Sequence, residues 1–349
     1  MHRLTVVVAV LWAVLCGIAA QAAPCPFNIP VVTIPPHQAN GFSWGAVIRP
    51  MNDACISHIA IDPTNNNAWY AGSFTALYMT KNNGVTWTKP VIGNVGALLI
   101  VPGQSNLVYA GVGNKLYLTR DSGTTWNVIK TFAKPVRSLL VAGGTLFTGL
   151  GWDTHAVPSG VFTSNLGGGF LTFHAFGPGH TGLIVWTLSR DPLSGAIYAG
   201  TEIFDHPQPY KPPFFRSTNG GVVWTKVANL PWHAVDSAVR PNDGYVYALT
   251  EGKGVYGSPT MGASWIPPQL SPGLGVTLLM DPKTPTRLFV GRHKFGTLNG
   301  GIFVSTNAGK TYTASGLTGV TVSDIALNGA GTRIYAATYG SGIYRSPVP

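Results

Sequence analysis

Thr119-Arg120-Asp121-Ser122-Gly123-Thr124-Thr125-Trp126 is one of five versions of a single phrase in this chain, Thr/Ser-x-Asp/Asn-x-Gly-x-Thr-Trp. Thr80 to Trp87 is a second close copy, and looser ones run from Ser217 to Trp224, Ser258 to Trp265 and Ser305 to Tyr312. Self-similarity at a regular period decides architecture before any local reading does. Working outward from the phrase, each copy follows the same elements. An apolar strand ends in an Asp-Pro turn, as in Ile59-Ala60-Ile61-Asp62-Pro63. An aromatic-Ala-Gly strand comes next, Trp69-Tyr70-Ala71-Gly72, and then a third strand, Leu77-Tyr78-Met79. The Trp that ends the phrase opens a fourth strand. Four strands recurring at about 40–45 residues are the mark of a propeller blade.

The second strand recurs at Val108 to Gly111, Leu146 to Gly149, Ile197 to Gly200, Val246 to Leu249, Leu288 to Gly291 and Ile334 to Ala337, so seven blades are expected. The third copy is degraded, Ser164-Asn165-Leu166-Gly167-Gly168, with Leu171 in the place of Trp. The last copy stops at Tyr344-Arg345-Ser346, where its fourth strand should follow. Phe42-Ser43-Trp44 precedes the first complete repeat and carries a Trp in the expected place. The fold expected is all-β: a seven-bladed β-propeller of four-stranded antiparallel blades over 42–349, closed by an N-terminal strand in the last blade. Such an exchange removes an exposed sheet edge.

The phrase resembles the Asp-box (BNR) repeat, and the chain is similar to exported seven-bladed propellers of that group. The group spans sialidase-like and xyloglucanase-like enzymes, sortilin-type receptors and photosystem assembly factors. The resemblance implies a fold and leaves the chemistry open. It also implies that the boxes lie on one face, with the loops between second and third strands on the opposite, ligand-holding face. The Arg-Ile-Pro signature of sialidases is not reproduced, since this chain has Ile48-Arg49-Pro50.

The chain begins with Met1-His2-Arg3, an uncharged apolar run from Leu4 to Ala20, and Ala20-Gln21-Ala22, the pattern of a cleaved signal over 1–22. An uncleaved anchor is the alternative; after cleavage no membrane span is expected. An arm over 23–41 leads into the propeller, and secretion or periplasmic export is the expected location. Cleavage leaves Cys25 and Cys55, read as one disulfide, with two buried thiols as the alternative. Closing that loop contributes about 3–4 kcal/mol in the chain-entropy model. Charged residues are 10% of the chain, so water is met largely by Asn, Thr, Ser and backbone. The formal net charge of +10 favours an anionic ligand, but the basic residues are scattered, which argues against nucleic acid. A monomer without cofactor or metal is expected.

In each box the Gly allows a tight turn, the Asx side chain accepts backbone N–H groups, and the Trp fills space between blades. Those residues, with Asp62, Asp191, Asp281 and Asp243 in turns, are read as scaffold. Three longer loops are left for function: Gly151 to Gly160 with Trp152, Asp153 and His155; Glu202 to Pro213 with Glu202, Asp205, His206 and Tyr210; and Arg292 to Gly300 with Arg292 and His293. These are the candidate ligand contacts. His58, Asp236 and Asp324 share one repeat position on the innermost strands and should face the central channel, where two carboxylates could act as acid and base. They are the catalytic candidates. The leading reading is an extracellular binding module for a glycan or an envelope or extracellular protein. The alternative is a glycan-active hydrolase or lyase.

Overall fold

The computed structural model describes residues 38–349 apart from 46, 47, 49, 51, 52, 54, 152–157, 170, 204–212, 228, 229, 269, 271, 272 and 295–298. The expected signal segment and the arm as far as residue 37, with Cys25, lie outside the described residues; Cys55 is buried. The described residues form strands and turns, with no α-helix among them.

The chain is a seven-bladed all-β propeller. A hairpin of β1 (Gln38–Ala39) and β2 (Phe42–Ser43) comes first. Blade 1 holds β3 (Ile56–Ile61), β4 (Trp69–Ser73), β5 (Ala76–Thr80) and β6 (Thr88–Ile92). Blade 2 holds β7 (Val95–Val101), β8 (Gln104–Val112), β9 (Lys115–Thr119) and β10 (Asn127–Thr131). Blade 3 runs through β11 (Val136–Ala142), β12 (Thr145–Leu150), β13 (Gly160–Asn165) and β14 (Thr172–Ala175). Blade 4 runs through β15 (Leu183–Arg190), β16 (Ile197–Ile203), β17 (Phe214–Ser217) and β18 (Thr225–Lys226). Blade 5 has β19 (Ala234–Val239), β20 (Val246–Thr250) and β21 (Gly254–Ser258), with a single bridge from Gly257 to Ile266 in place of a fourth strand. Blade 6 has β22 (Gly275–Met280), β23 (Leu288–Arg292), β24 (Gly301–Ser305) and β25 (Thr313–Thr318). Blade 7 has β26 (Thr321–Leu327), β27 (Arg333–Tyr339) and β28 (Gly342–Pro347).

Along the outer edge of β28 runs the start of the propeller. Gly45 N–H donates to the Arg345 carbonyl at 2.8 Å, and Ile48 and Ile343 exchange bonds at 2.9 and 2.8 Å. Trp44, 2% exposed, donates its indole N–H to the Ser315 carbonyl and stacks on Phe42.

Each sheet is packed on both faces by neighbouring blades, which explains why the second strands do not alternate. All five residues of β4, β20 and β23 are buried. The Gly of the aromatic-Ala-Gly phrase is required by that approach. A Cβ at Gly72 would lie 2.5 Å from Val95 of the next blade, and one at Gly111 would lie 2.5 Å from Val136. Outer strands such as β10 are mostly exposed.

The five repeated turns share one hydrogen-bond pattern. The N–H of Gly84, Gly123, Gly221, Gly262 and Gly309 donates to the Ser or Thr hydroxyl that opens each turn, at 2.8–3.1 Å. The N–H of Thr86, Thr125, Val223, Ser264 and Thr311 donates to the third-position side chain at 2.8–2.9 Å. These glycines have φ of 80° to 87°, and the residue before each is left-handed too, with φ of 54° to 60° at Asn83, Ser122, Met261 and Ala308. A side chain costs about 1–2 kcal/mol there, a feature the repeat pattern did not expose. In the degraded third copy Asn165 still accepts from Gly167 and Gly169 N–H, so the turn survives without its Trp.

Candidate ligand-binding site

The innermost strands all carry the same irregularity. The ladder between first and second strands slips by one residue in every blade, at Ser57, Gly96, Arg137, Trp186, Val235, Val276 and Ser323. A bulge leaves one residue unpaired and re-aims its side chain. Those seven residues, with their followers His58, Ala97, Ser138, Thr187, Asp236, Thr277 and Asp324, line a central cavity of about 290 Å³. Phe74 and Tyr339, from the ends of second strands, line it as well.

His58, Asp236 and Asp324 therefore meet in one channel. The two carboxylates brace the ring. Asp236 accepts N–H bonds from Leu278 of blade 6 (2.7 Å) and from Ser237 (2.7 Å), and the Thr187 hydroxyl of blade 4 donates to it at 3.0 Å. Asp324 accepts from Ile59 of blade 1 at 2.9 Å and from Ile325 at 2.8 Å. Burial outweighs these bonds and raises Asp236 to about 6 and Asp324 to about 7, the latter helped by the charge of Asp236. His58 is held down to about 4 by burial and by Arg137, so it is a neutral imidazole at pH 7, beside the Ser57 hydroxyl at 3.0 Å.

In the same lining, the Arg137 guanidinium carbon lies 5.8 Å from the Trp186 ring centre. The Trp186 indole N–H donates to Glu202 at 3.0 Å. His233 Nε2 lies 3.2 Å from Glu202 and 2.9 Å from Glu251. Burial, then the neighbouring Glu251, raises Glu202 well above the carboxylate range. Toward blade 7, His293 stacks on Tyr339 at 5.7 Å, and Tyr339 packs against Phe74 at 5.4 Å. Burial lowers His293 to about 4.

The expected loop contacts are thus split. Glu202 and His293 are both buried behind the cavity lining, Glu202 against Trp186 and His293 against Tyr339. Arg292 is buried with its guanidinium 4.3 Å from the Phe303 ring centre, and burial lowers it to about 10. Trp152, Asp153, His155, Asp205, His206 and Tyr210 lie outside the described residues. Sequence reasoning missed Trp186, Phe74 and Tyr339 as cavity-lining residues, and His233 and Glu251 as the groups beside Glu202. Trp186 had a signal: it stands in the repeat column immediately before that of His58 and Asp236, and its neighbours in that column are chemically unlike each other.

No protein-family model matches the chain, and no curated protein sequence matches it. Solved structures do. YCF48 bound to D1 peptide is similar with TM-score 0.62 and 16% identity, over 92% of this chain and 100% of that one. An ancestral GH74 enzyme gives TM-score 0.67 and 20% identity over 86% of this chain, which spans 46% of the enzyme's length. The extracellular domain of the putative hybrid two-component system BT4673 from B. thetaiotaomicron gives TM-score 0.66 and 16% identity, over 88% of this chain and 39% of that one. At such identities the likeness establishes the propeller.

Proposed function

We propose that the protein is an exported binding module that takes a glycan or an extracellular or envelope protein at the mouth of its channel. The observation that carries this reading is how the channel carboxylates are used. Asp236 and Asp324 are tied by backbone N–H groups of adjacent blades, whereas Phe74, Trp186, Tyr339 and Arg137 in the same cavity lining offer rings and a guanidinium for recognition. Rings flanked by a guanidinium suit sugar rings and peptide side chains alike, and Arg137 favours an anionic group. The inserted loops with Trp152, Asp153, His155, Asp205, His206 and Tyr210 would extend the contact, and a Cys25–Cys55 bridge would pin the N-terminal arm. The structural neighbours include a peptide-bound protein, a GH74 enzyme and the extracellular domain of a putative two-component system, a range that supports a protein or glycan ligand without choosing one.

A second reading has its own support. Glu202 and Glu251 share one imidazole nitrogen, so they fall within the roughly 10 Å separation that paired-carboxylate glycoside cleavage uses. Burial raises the Glu202 carboxyl, the direction that a general acid requires. A glycan array and a reducing-end assay on the exported protein separate the two. Binding lost in Trp186→Ala and Arg137→Ala, with no product released, supports the module. Product release that disappears in Glu202→Gln and Glu251→Gln replaces it with the enzyme.

A further inference from the structure

The face that carries the repeated turns is built alike in most blades, and blade 5 departs from it at three places that meet in one cleft. In five blades the same backbone bond closes the turn between first and second strands. The N–H of Asp62, Asp191, Arg240, Asp281 and Asn328 donates to the carbonyl of Ala68, Ala196, Tyr245, Arg287 and Arg333 respectively. That bond makes the positions equivalent. Blade 5 therefore has Arg240 where three sisters have aspartate, and Tyr245 where two have alanine. Its outer segment reads Ile266-Pro267-Pro268 and keeps only the Gly257–Ile266 bridge, since proline has no N–H to continue a ladder. Ile266 is left 48% exposed.

Between blades 5 and 6 lies a cleft of about 400 Å³ walled by Arg240, Tyr245, Tyr247, Ile266 and Pro267, with Lys310 at its edge. A gap of about 430 Å³ between blades 1 and 2 is lined instead by Lys81, Asn82, Thr86 and Thr88 beside Met79 and Pro90, with no aromatic wall. The gap comes with the architecture; the aromatic lining belongs to blade 5.

Arg240 and the Tyr247 hydroxyl in this cleft are occupied with protein partners. Arg240 donates from Nε and Nη2 to the two oxygens of Asp243 at 2.8 and 2.6 Å, and from Nη1 to the Tyr247 hydroxyl at 3.0 Å. That hydroxyl donates to the Ala308 carbonyl at 3.0 Å. The guanidinium carbon is 4.7 Å from the Tyr245 ring centre. A sugar's hydroxyls would find few partners here and would lose their water. An apolar side chain would bury against Tyr245, Ile266 and Pro267. Exposed Lys310, on a chain of net charge +10, sets the sign expected of the flanking residues. We propose that this cleft receives an acidic peptide segment of a partner protein, anchored by one apolar side chain, independently of the channel mouth.

The test titrates the exported protein with acetyl-Asp-Leu-Phe-Asp-amide and with acetyl-Lys-Leu-Phe-Lys-amide, read by NMR line shifts. The acidic peptide should bind at least about tenfold more tightly. Lys310→Glu should abolish that preference, and Tyr245→Ala, which restores the residue of blades 1 and 4, should weaken both peptides about fivefold or more in a protein that still folds. Arg137→Ala at the channel mouth should leave both affinities as they were. Equal affinity for the two peptides overturns the proposal, as does no saturation up to about 1 mM. Binding unchanged in Tyr245→Ala, or a glucan oligosaccharide competing at this cleft, overturns it too.

Discussion

Blade 5 and its sisters solve one packing problem in opposite ways. In blades 1, 2 and 6 the second strand offers a glycine to the first strand of the next blade, and Val95, Val136 or Val322 fills the space. Blade 5 offers Leu249 instead, and the next blade answers with Gly275, where a Cβ would lie 2.5 Å from the leucine. Large and small have changed sides with the contact preserved. Compensation of this kind marks a structural exchange. Arg240, Tyr245 and the Pro267–Pro268 interruption have no such counterpart in blade 6, where Asp281 and Arg287 keep an ion pair at 3.5 Å. A repeat protein thus carries its own control: a departure answered by its neighbour is packing, and one left unanswered points to a ligand.

The exchange can be broken one side at a time. Leu249→Gly leaves a cavity beside Gly275 and should cost about 3–5 kcal/mol. Gly275→Val overpacks the same spot and should cost about 1–3 kcal/mol. The double variant recreates the Gly–Val pair of blades 1 and 2, so its loss should be clearly smaller than the two losses added together, by a coupling of about 1–3 kcal/mol in urea unfolding. Additive losses would mean that the two residues do not answer each other.

The channel extends the comparison to blades 5 and 7, which place Asp236 and Asp324 where blades 4 and 6 place Thr187 and Thr277. Both acids are raised above their unfolded value by burial, so the folded state holds their protons more tightly. Their stabilising contribution is full below about pH 4 and is lost as pH rises through about 6 and 7. Asp324→Thr removes one such group and, with it, some hydrogen bonds at every pH. Measured against the parent protein, its relative stability should therefore climb by on the order of 2–4 kcal/mol between pH 4 and pH 8. A flat difference would place the Asp324 carboxyl at an ordinary value.

What could be read from the chain, and what could not, follows the range of each interaction. The boxes are local: a hydroxyl, an Asx oxygen and a glycine close a turn within eight residues, so the turns and the blade count were visible. His58, Asp236 and Asp324 were visible as one column of an internal alignment. Trp186 and Arg137 line the channel because each inner strand carries an extra residue, and a bulge shifts the period-two pattern by one without leaving a motif. Glu202, His233 and Glu251 come from the end of one blade's second strand and from both ends of the next blade's inner hairpin, so only the packing of blade 4 on blade 5 brings them together. The cleft beside Tyr245 was passed over because the boxes mark their face as scaffold.

The smallest effect tests the box itself. Blades 1 and 6 use Asn82 and Asn307, whose amide both accepts a backbone N–H and donates to the Thr86 or Thr311 hydroxyl at 2.8 Å. Blade 5 has Thr260, whose single oxygen takes the Ser264 N–H at 2.9 Å and must also serve the Ser264 hydroxyl. Thr260→Asn divides those two duties between separate atoms and should stabilise the protein by about 0.5–1 kcal/mol, while Asn82→Thr should lose a similar amount. Thermal melts of the two variants should move in opposite directions by a few degrees at most. If both fall, the turn in blade 5 is adapted to its threonine, and the blade differs from its sisters at a fourth position on the face that holds the cleft.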